Sequence, residues 1–96
     1  MTSHEIIINL IKQFPYFFER IPQGITNDFD APTFDHWASS TPLSLSEDIL
    51  CQFILMVWDW RKEWKTGSFN IGQAFSVLGA ENKAVIKQWC QEPFLL

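Results

Sequence analysis

The feature that most restricts the fold of this chain is a run of six consecutive apolar residues, 53–58, inside a segment with helical periodicity. A helix with such a run is apolar on all of its faces, and such helices are usually central in a fold or buried in a subunit interface. Ser44 and Glu47 have the spacing of a capping box, and Gly67 is typical of a residue just after a helix end. The pattern therefore predicts one long helix over residues 45–66. Its core-facing stripe is predicted to be Ile49, Phe53, Val57, Trp60 and Trp64.

A further helix is predicted over residues 3–13. Thr2 and Glu5 also have capping-box spacing, and Pro15 ends the element because proline has no amide hydrogen and disfavours helix in the residue before it. Apolar residues recur at the spacing of one helix face: Ile7, Leu10, Ile11 and Phe14. The isoleucine run at residues 6–8 also suits a strand, which is the alternative here.

Turn-forming residues are frequent in the next part of the chain, so residues 22–43 are predicted to be mainly irregular. One short helix over residues 31–39 is expected there, with Asp30 as its cap. The aromatic residues just before the irregular segment are predicted to pack inward as core: Phe14, Tyr16, Phe17 and Phe18.

The last third of the chain has two segments with helical spacing, residues 71–78 and residues 80–91. Ser68 or Asn70 would cap the first of them. Gly79 separates the segments, but their apolar phase is continuous, so one helix over both is the alternative. Val85, Ile86, Trp89 and Cys90 are predicted to face the core.

Together these elements predict an all-α fold. We expect one domain over residues 1–96, a small bundle of about four principal helices around one core, with the irregular segment between the first and second long helices. Hydrophobic residues make up 47% of the chain and charged residues 19%, which is sufficient for a core and unlike a disordered chain. The apolar residues 94–96 are predicted to dock on that core.

The two cysteines, Cys51 and Cys90, lie inside predicted helices. We expect two free, buried thiols that react slowly, and one disulfide between facing helices is the alternative. The first residues lack the positive region of a signal peptide, and the longest uncharged apolar stretch is well short of the ~20 residues of a membrane span. The expected protein is therefore cytoplasmic and makes no membrane contact.

No residue pattern predicts catalytic residues, a metal site or a cofactor. Asp35 and His36 are adjacent, and adjacent side chains on a helix point in different directions. Asp28 and Asp30 lack the glycine and the distal glutamate of a calcium loop. A small enzyme is therefore the third hypothesis for this chain.

Nucleic acid is also not expected as a partner. Residues 58–65 mix tryptophan with lysine and arginine, as surfaces that bind single strands do. However, Trp60 and Trp64 continue the predicted core stripe, and a net charge of −4 disfavours phosphate binding.

The candidate binding surface is the segment 28–37, which we call the acidic segment. Between residues 21 and 60 the chain has six acidic residues and no lysine or arginine. Aromatic side chains anchor interfaces, and charge steers association. The predicted partner-binding residues are Asp28, Phe29, Asp30, Phe34, Asp35, His36 and Trp37. The alternative is that the aromatic residues hold the segment to the core while exposed acidic residues keep it solvated.

These observations favour a small cytoplasmic, non-enzymatic binding protein: an adaptor, inhibitor or regulator that contacts a protein partner with a basic surface. The alternative is a homo-oligomeric structural or regulatory subunit. Its expected form is a two-fold homodimer that buries part of the long helix or residues 94–96.

Overall fold

A computed structural model describes residues 1–96 as seven helices with no strand. In chain order the helices are α1 (Ser3–Gln13), α2 (Phe17–Arg20), α3 (Gln23–Thr26), α4 (Ala31–Ser40), α5 (Leu45–Trp58), α6 (Ile71–Val77) and α7 (Ala80–Gln91). The all-α class is therefore confirmed. Helix α4 confirms the helix predicted over residues 31–39, with Asp30 as its cap. Residues 22–43 are more regular than expected only because the short helix α3 also lies within them.

Helix α1 has the predicted bounds, and the isoleucine run is helical rather than extended. Its first turn is capped as expected, since the Glu5 amide donates to Thr2 Oγ1 at 3.2 Å. Ile7, Leu10 and Ile11 are buried and face the rest of the molecule. The local signals of capping and spacing were sufficient to define this helix.

Helix α5 is the central element and contacts α1, α4 and α6. Ser44 and Glu47 form the predicted capping box, in which each backbone amide donates to the other side chain. Those hydrogen bonds from Ser44, aided by the guanidinium of Arg20, hold the pKa of Glu47 below its usual range. Seven residues of α5 are buried: Ile49, Leu50, Cys51, Phe53, Ile54, Leu55 and Val57. All seven belong to the single hydrophobic core, a cluster of 20 buried residues. Neighbouring helices of the same chain therefore cover the apolar run.

The predicted C-terminal end of the long helix was wrong, because α5 stops at Trp58 instead of continuing to residue 66. Asp59 is extended, with φ −154° and ψ 94°, and its Oδ1 accepts a hydrogen bond from the Arg61 amide at 3.2 Å. The amide of Leu96 donates to the Val57 carbonyl at 2.8 Å, the group that the Arg61 amide would reach in a longer helix. Side-chain and long-range hydrogen bonds thus replace helix continuation.

Loss of the last two helical turns changes the position of two tryptophans. Trp60, predicted to be core, is 61% exposed. Trp64 is half-buried and packs against the core, and its Nε1 donates to the Asp59 carbonyl at 3.2 Å. We call residues 59–70 the Trp60 loop.

Helices α6 and α7 are separate, so the single-helix alternative is excluded. Asn70 is the cap of α6 and accepts a hydrogen bond from the Gln73 amide at 2.9 Å. Leu78 is extended and buried, and Gly79 precedes the first turn of α7. The buried leucine explains why the apolar phase continues across a break in the helix.

Two smaller predictions of burial were wrong. Tyr16 has a left-handed backbone with φ 65° and is 83% exposed, whereas Phe14 and Phe17 are buried. A left-handed residue reverses the chain between α1 and α2, which turns the tyrosine away from the core. Cys90 lies on the exposed side of α7 rather than toward the core.

The two cysteines are free, and their surroundings predict very different reactivity. Cys51 is buried in α5, and burial raises the pKa of its thiol, so little nucleophilic thiolate forms. Cys90 is exposed. A maleimide added to the native protein should label Cys90 rapidly and Cys51 only after unfolding. A Cys90→Ser variant should lack the rapid phase, and rapid labelling that persists in it would contradict the burial of Cys51.

The closing residues lie against the end of α5. Besides the bond from the Leu96 amide, Trp89 Nε1 donates to the Phe94 carbonyl at 3.1 Å. The Phe94 ring also meets Trp89 edge-on, with ring centres 6.5 Å apart, while the side chains of Phe94, Leu95 and Leu96 remain 38–50% exposed. None of the seven helices has the length and hydrophobicity that a membrane span requires.

Candidate functional site

The residues of the acidic segment divide into a buried and an exposed group. Phe29, Phe34 and Asp35 are buried, Trp37 is half-buried, and Asp28, Asp30 and His36 are exposed. The rings of Phe29 and Phe34 lie 5.6 Å apart, and Phe29 meets Trp58 of α5 edge-on at 5.1 Å. Phe29 and Phe34 therefore belong to the contact between α4 and α5 and are not open to a partner.

The exposed acidic residues also differ from each other. Asp30 caps α4 and accepts a hydrogen bond from the Thr33 amide at 3.2 Å. Asp28 has no ion pair or side-chain hydrogen bond within the chain, and it lines a groove of about 320 Å³ that faces α1. Trp37 is partly covered by the Arg20 guanidinium, 5.9 Å from its ring centre. Asp28, His36 and the uncovered part of Trp37 are what this segment offers to a partner.

Asp35 has a structural task that its sequence position does not reveal. Its side chain is 6% exposed, and its two carboxylate oxygens accept hydrogen bonds from the amides of Lys65 at 2.9 Å and Thr66 at 3.0 Å. A carboxylate that accepts two backbone hydrogen bonds is a strong clamp, because charge-assisted bonds are about twice as strong as neutral ones. Asp35 thereby holds the Trp60 loop against α4.

The Trp60 loop forms one wall of a cleft of about 250 Å³, and α5 forms the other. We call it the Trp60 cleft. Its lining includes Gln52, Met56, Trp60, Lys62, Trp64 and Phe69. The cleft combines a sulfur-containing side chain and three aromatic rings with one cation, Lys62, and one anion, Asp59. Its sulfur and aromatic side chains suit an apolar ligand group.

The loop around the cleft is held at several points. Gln52 Nε2 donates to the Thr66 carbonyl at 2.8 Å, and the Lys62 ammonium lies 5.1 Å from the centre of the Trp64 ring. Gly67 turns the chain with φ 102°, a conformation that side chains rarely adopt, and a Cβ there would lie 3.2 Å from Gln52 Nε2. The backbone of the cleft is therefore pre-organised, while the Trp60 side chain stays in solvent.

Basic residues are concentrated around this cleft. Arg61, Lys62 and Lys65 lie within five residues of one another in a chain whose net charge is −4. Asp59 is the partner of Arg61 in an ion pair at 3.4 Å. With the exposed Glu63 included, residues 59–65 have three bases and two acids, so the rim has one positive charge in excess, in contrast to the acidic segment.

The remaining surface has fewer side chains that could recognise a particular ligand. A cavity of about 480 Å³ between α1 and α7 is lined by three glutamines and by Leu10, Val85, Trp89 and Phe94, and Glu92 is its one ionisable side chain. No group of three or more histidine, cysteine, aspartate or glutamate side chains is placed to hold a metal ion. His4 stacks on Trp58, with ring centres 5.5 Å apart.

Comparison of the chain with protein-family models, with curated proteins and with solved structures gave no match.

Sequence reasoning missed Trp60 as a surface residue, although a signal was present. Arg61, Lys62 and Lys65 follow it closely, whereas the residues on the buried faces of α5 carry no charge. Helical spacing outweighed that signal, because Trp60 and Trp64 continue the stripe of α5. The clustering of charge was the better guide to where the helix ends.

Proposed function

We propose that this protein is a small cytoplasmic, non-enzymatic binding protein that contacts a protein partner through the Trp60 cleft. The observation that carries the proposal is the exposure of Trp60. The other four tryptophans pack at least partly against the core, whereas Trp60 is 61% exposed beside a cleft of mixed apolar and polar lining. As a binding protein that catalyses no reaction, it would act as an adaptor, inhibitor or regulator.

The size of the Trp60 side chain and the rigidity of its loop favour a docking role for this tryptophan. Tryptophan is among the residues most enriched at interface positions that dominate binding energy, and it buries about 150–250 Å² when covered. Leaving so large an apolar surface in water has no evident structural benefit here. A loop that is already held by Asp35 and Gln52 loses little backbone freedom on binding, which lowers the entropic cost of association.

Other residues support a second candidate surface, the homodimer alternative and the proposed compartment. Asp28, Asp30 and His36 remain a second candidate surface, for a partner with a basic face. The exposed side chains of residues 94–96 favour the alternative of a homodimer. Two free cysteines favour a reducing compartment such as the cytoplasm.

A substitution of Trp60 tests the proposed function. Trp60→Ala should leave the free energy of unfolding within about 0.5 kcal/mol of wild type, because the side chain is exposed. Binding to a partner captured from native cells, purified and titrated against the protein, should weaken by about tenfold or more. Asp28→Asn tests the second candidate surface in the same assay and should bind the same partner normally if the Trp60 cleft is the docking site.

Two results would count against this assignment. Unchanged affinity in Trp60→Ala with reduced affinity in Asp28→Asn would move the docking surface to the acidic segment. Sedimentation that shows a dimer, abolished by polar substitution of residues 94–96, would favour the homo-oligomeric alternative.

A further inference from the structure

We infer that the Trp60 cleft takes an acidic protein segment that inserts one large apolar side chain between α5 and the Trp60 loop. The inference rests on the proposed function and names the chemistry of the partner. It combines the shape and lining of the cleft with the charge around its rim.

The apolar part of the ligand follows from the lining. Met56 on one wall and Trp64 and Phe69 on the other leave a space of about 250 Å³ between them. Trp64 is fixed by its hydrogen bond to the Asp59 carbonyl and by the Lys62 ammonium, so it does not close the space. Methionine adapts to irregular apolar shapes, which suits an inserted aliphatic or aromatic side chain.

The acidic part of the ligand follows from the rim. Lys62 lines the cleft, and Arg61 and Lys65, which lie one and three residues from it in the sequence, are exposed. Two acids lie among these bases. Asp59 is paired with Arg61, and the exposed Glu63 lies between Lys62 and Lys65, so the stretch from residue 59 to residue 65 has one positive charge in excess. Neither Lys62 nor Lys65 is in an ion pair. Carboxylates on a partner would meet the ammonium groups of Lys62 and Lys65 at short range. Because the net charge of −4 on the whole chain repels acidic proteins in general, the inserted apolar side chain would supply the attraction that holds the partner.

A nucleic acid would also carry negative charge, but the aromatic geometry does not suit a strand of bases. Single-strand surfaces stack successive bases on several exposed rings. Among the three tryptophans of residues 58–64, only Trp60 has an exposed ring. Trp58 is covered by His4 and Phe29, and Trp64 lies partly buried under Lys62.

A random peptide library displayed on phage identifies the ligand class directly. Selection against the wild-type protein, with Trp60→Ala in the counter-selection, should enrich peptides with several aspartates or glutamates around one large apolar residue. Enrichment of basic peptides, still dependent on Trp60, would overturn the acidic class while leaving the docking role of Trp60 intact. Failure to enrich any Trp60-dependent peptide would overturn both this inference and the proposed function.

Measured affinities of a selected acidic peptide provide the second test. A Lys62→Gln, Lys65→Gln double variant should weaken binding by about fivefold or more and reduce its dependence on salt. The matched control is Lys83→Gln with Lys87→Gln on α7, which should bind as wild type. If the two double variants weakened binding equally, the lysines at the rim would contribute only through the overall charge of the protein, and the inference would be overturned. An oligothymidine probe that binds with higher affinity than the peptide, and loses it in Trp60→Ala, would identify a nucleic-acid site instead.

Discussion

Phe53→Ala should lower the free energy of unfolding by about 3–5 kcal/mol, the range for removal of a fully buried phenylalanine. Phe53 lies in the middle of α5 with no solvent exposure. Its ring meets Phe14, Phe69 and Trp89 edge-on at 5.9, 5.2 and 5.3 Å. The substitution therefore opens a cavity where three separate parts of the chain meet, and rigid aromatic neighbours cannot easily close it.

Urea unfolding followed by circular dichroism measures this effect. A loss of that size is a large part of the ~5–15 kcal/mol that stabilises an ordinary domain, so the midpoint should shift strongly. Phe94→Ala is the matched control, because the same atoms are removed from a side chain that is 38% exposed. Equal losses in the two variants would mean that Phe53 is not at the centre of the core.

The helices that sequence reasoning located correctly are those whose signals are local. The cap at Thr2 and the proline after α1 determine its bounds, and the capping box at Ser44 determines the start of α5. Each signal acts within one helical turn, so neighbouring residues are enough to identify it.

The C-terminal end of α5 depends on residues that are distant in the sequence, so local signals could not predict it. The Val57 carbonyl is satisfied by the amide of Leu96, and the amides of Lys65 and Thr66 are satisfied by Asp35. Nothing in the spacing of residues 59–66 reveals these partners, which lie about thirty or more positions away. Helical periodicity therefore continues in the sequence past the point where the helix ends.

The burial of part of the predicted binding segment was not foreseen for a related reason. Aromatic residues alternating with acids fit an interface, and they equally fit a helix that buries its rings and uses one acid as a clamp. Burial separates the two cases, and burial of Phe29 and Phe34 depends on how α4 packs against α5. The acidic segment and the Trp60 loop proved to be connected, because Asp35 of the first holds the second.

Replacing Asp35 should produce the second large loss of stability and should also alter the Trp60 cleft. Asp35→Ala leaves the amides of Lys65 and Thr66 without their acceptors in a part-buried position. Each unsatisfied group costs about 1–3 kcal/mol, so we expect a total loss of about 2–5 kcal/mol, reduced where water reaches the amides. Asp35→Asn should also destabilise, because its amide group would present a donor to one of the two backbone donors. Asp28→Asn, which removes a charge without removing any hydrogen bond, should change stability by less than about 0.5 kcal/mol.

Hydrogen exchange distinguishes the role of Asp35 from that of Phe53. In Asp35→Ala the amides of Lys65 and Thr66 should exchange much faster while amides within α5 stay protected, since the loop opens locally before the core unfolds. In Phe53→Ala protection should fall throughout the core. A loop released in this way no longer holds Trp64 and Phe69 opposite Met56, so ligand affinity at the Trp60 cleft should fall in Asp35→Ala although Asp35 lines no part of it. Unchanged exchange at Lys65 and Thr66 would show that Asp35 does not hold the loop, and the cleft would then need another source of rigidity.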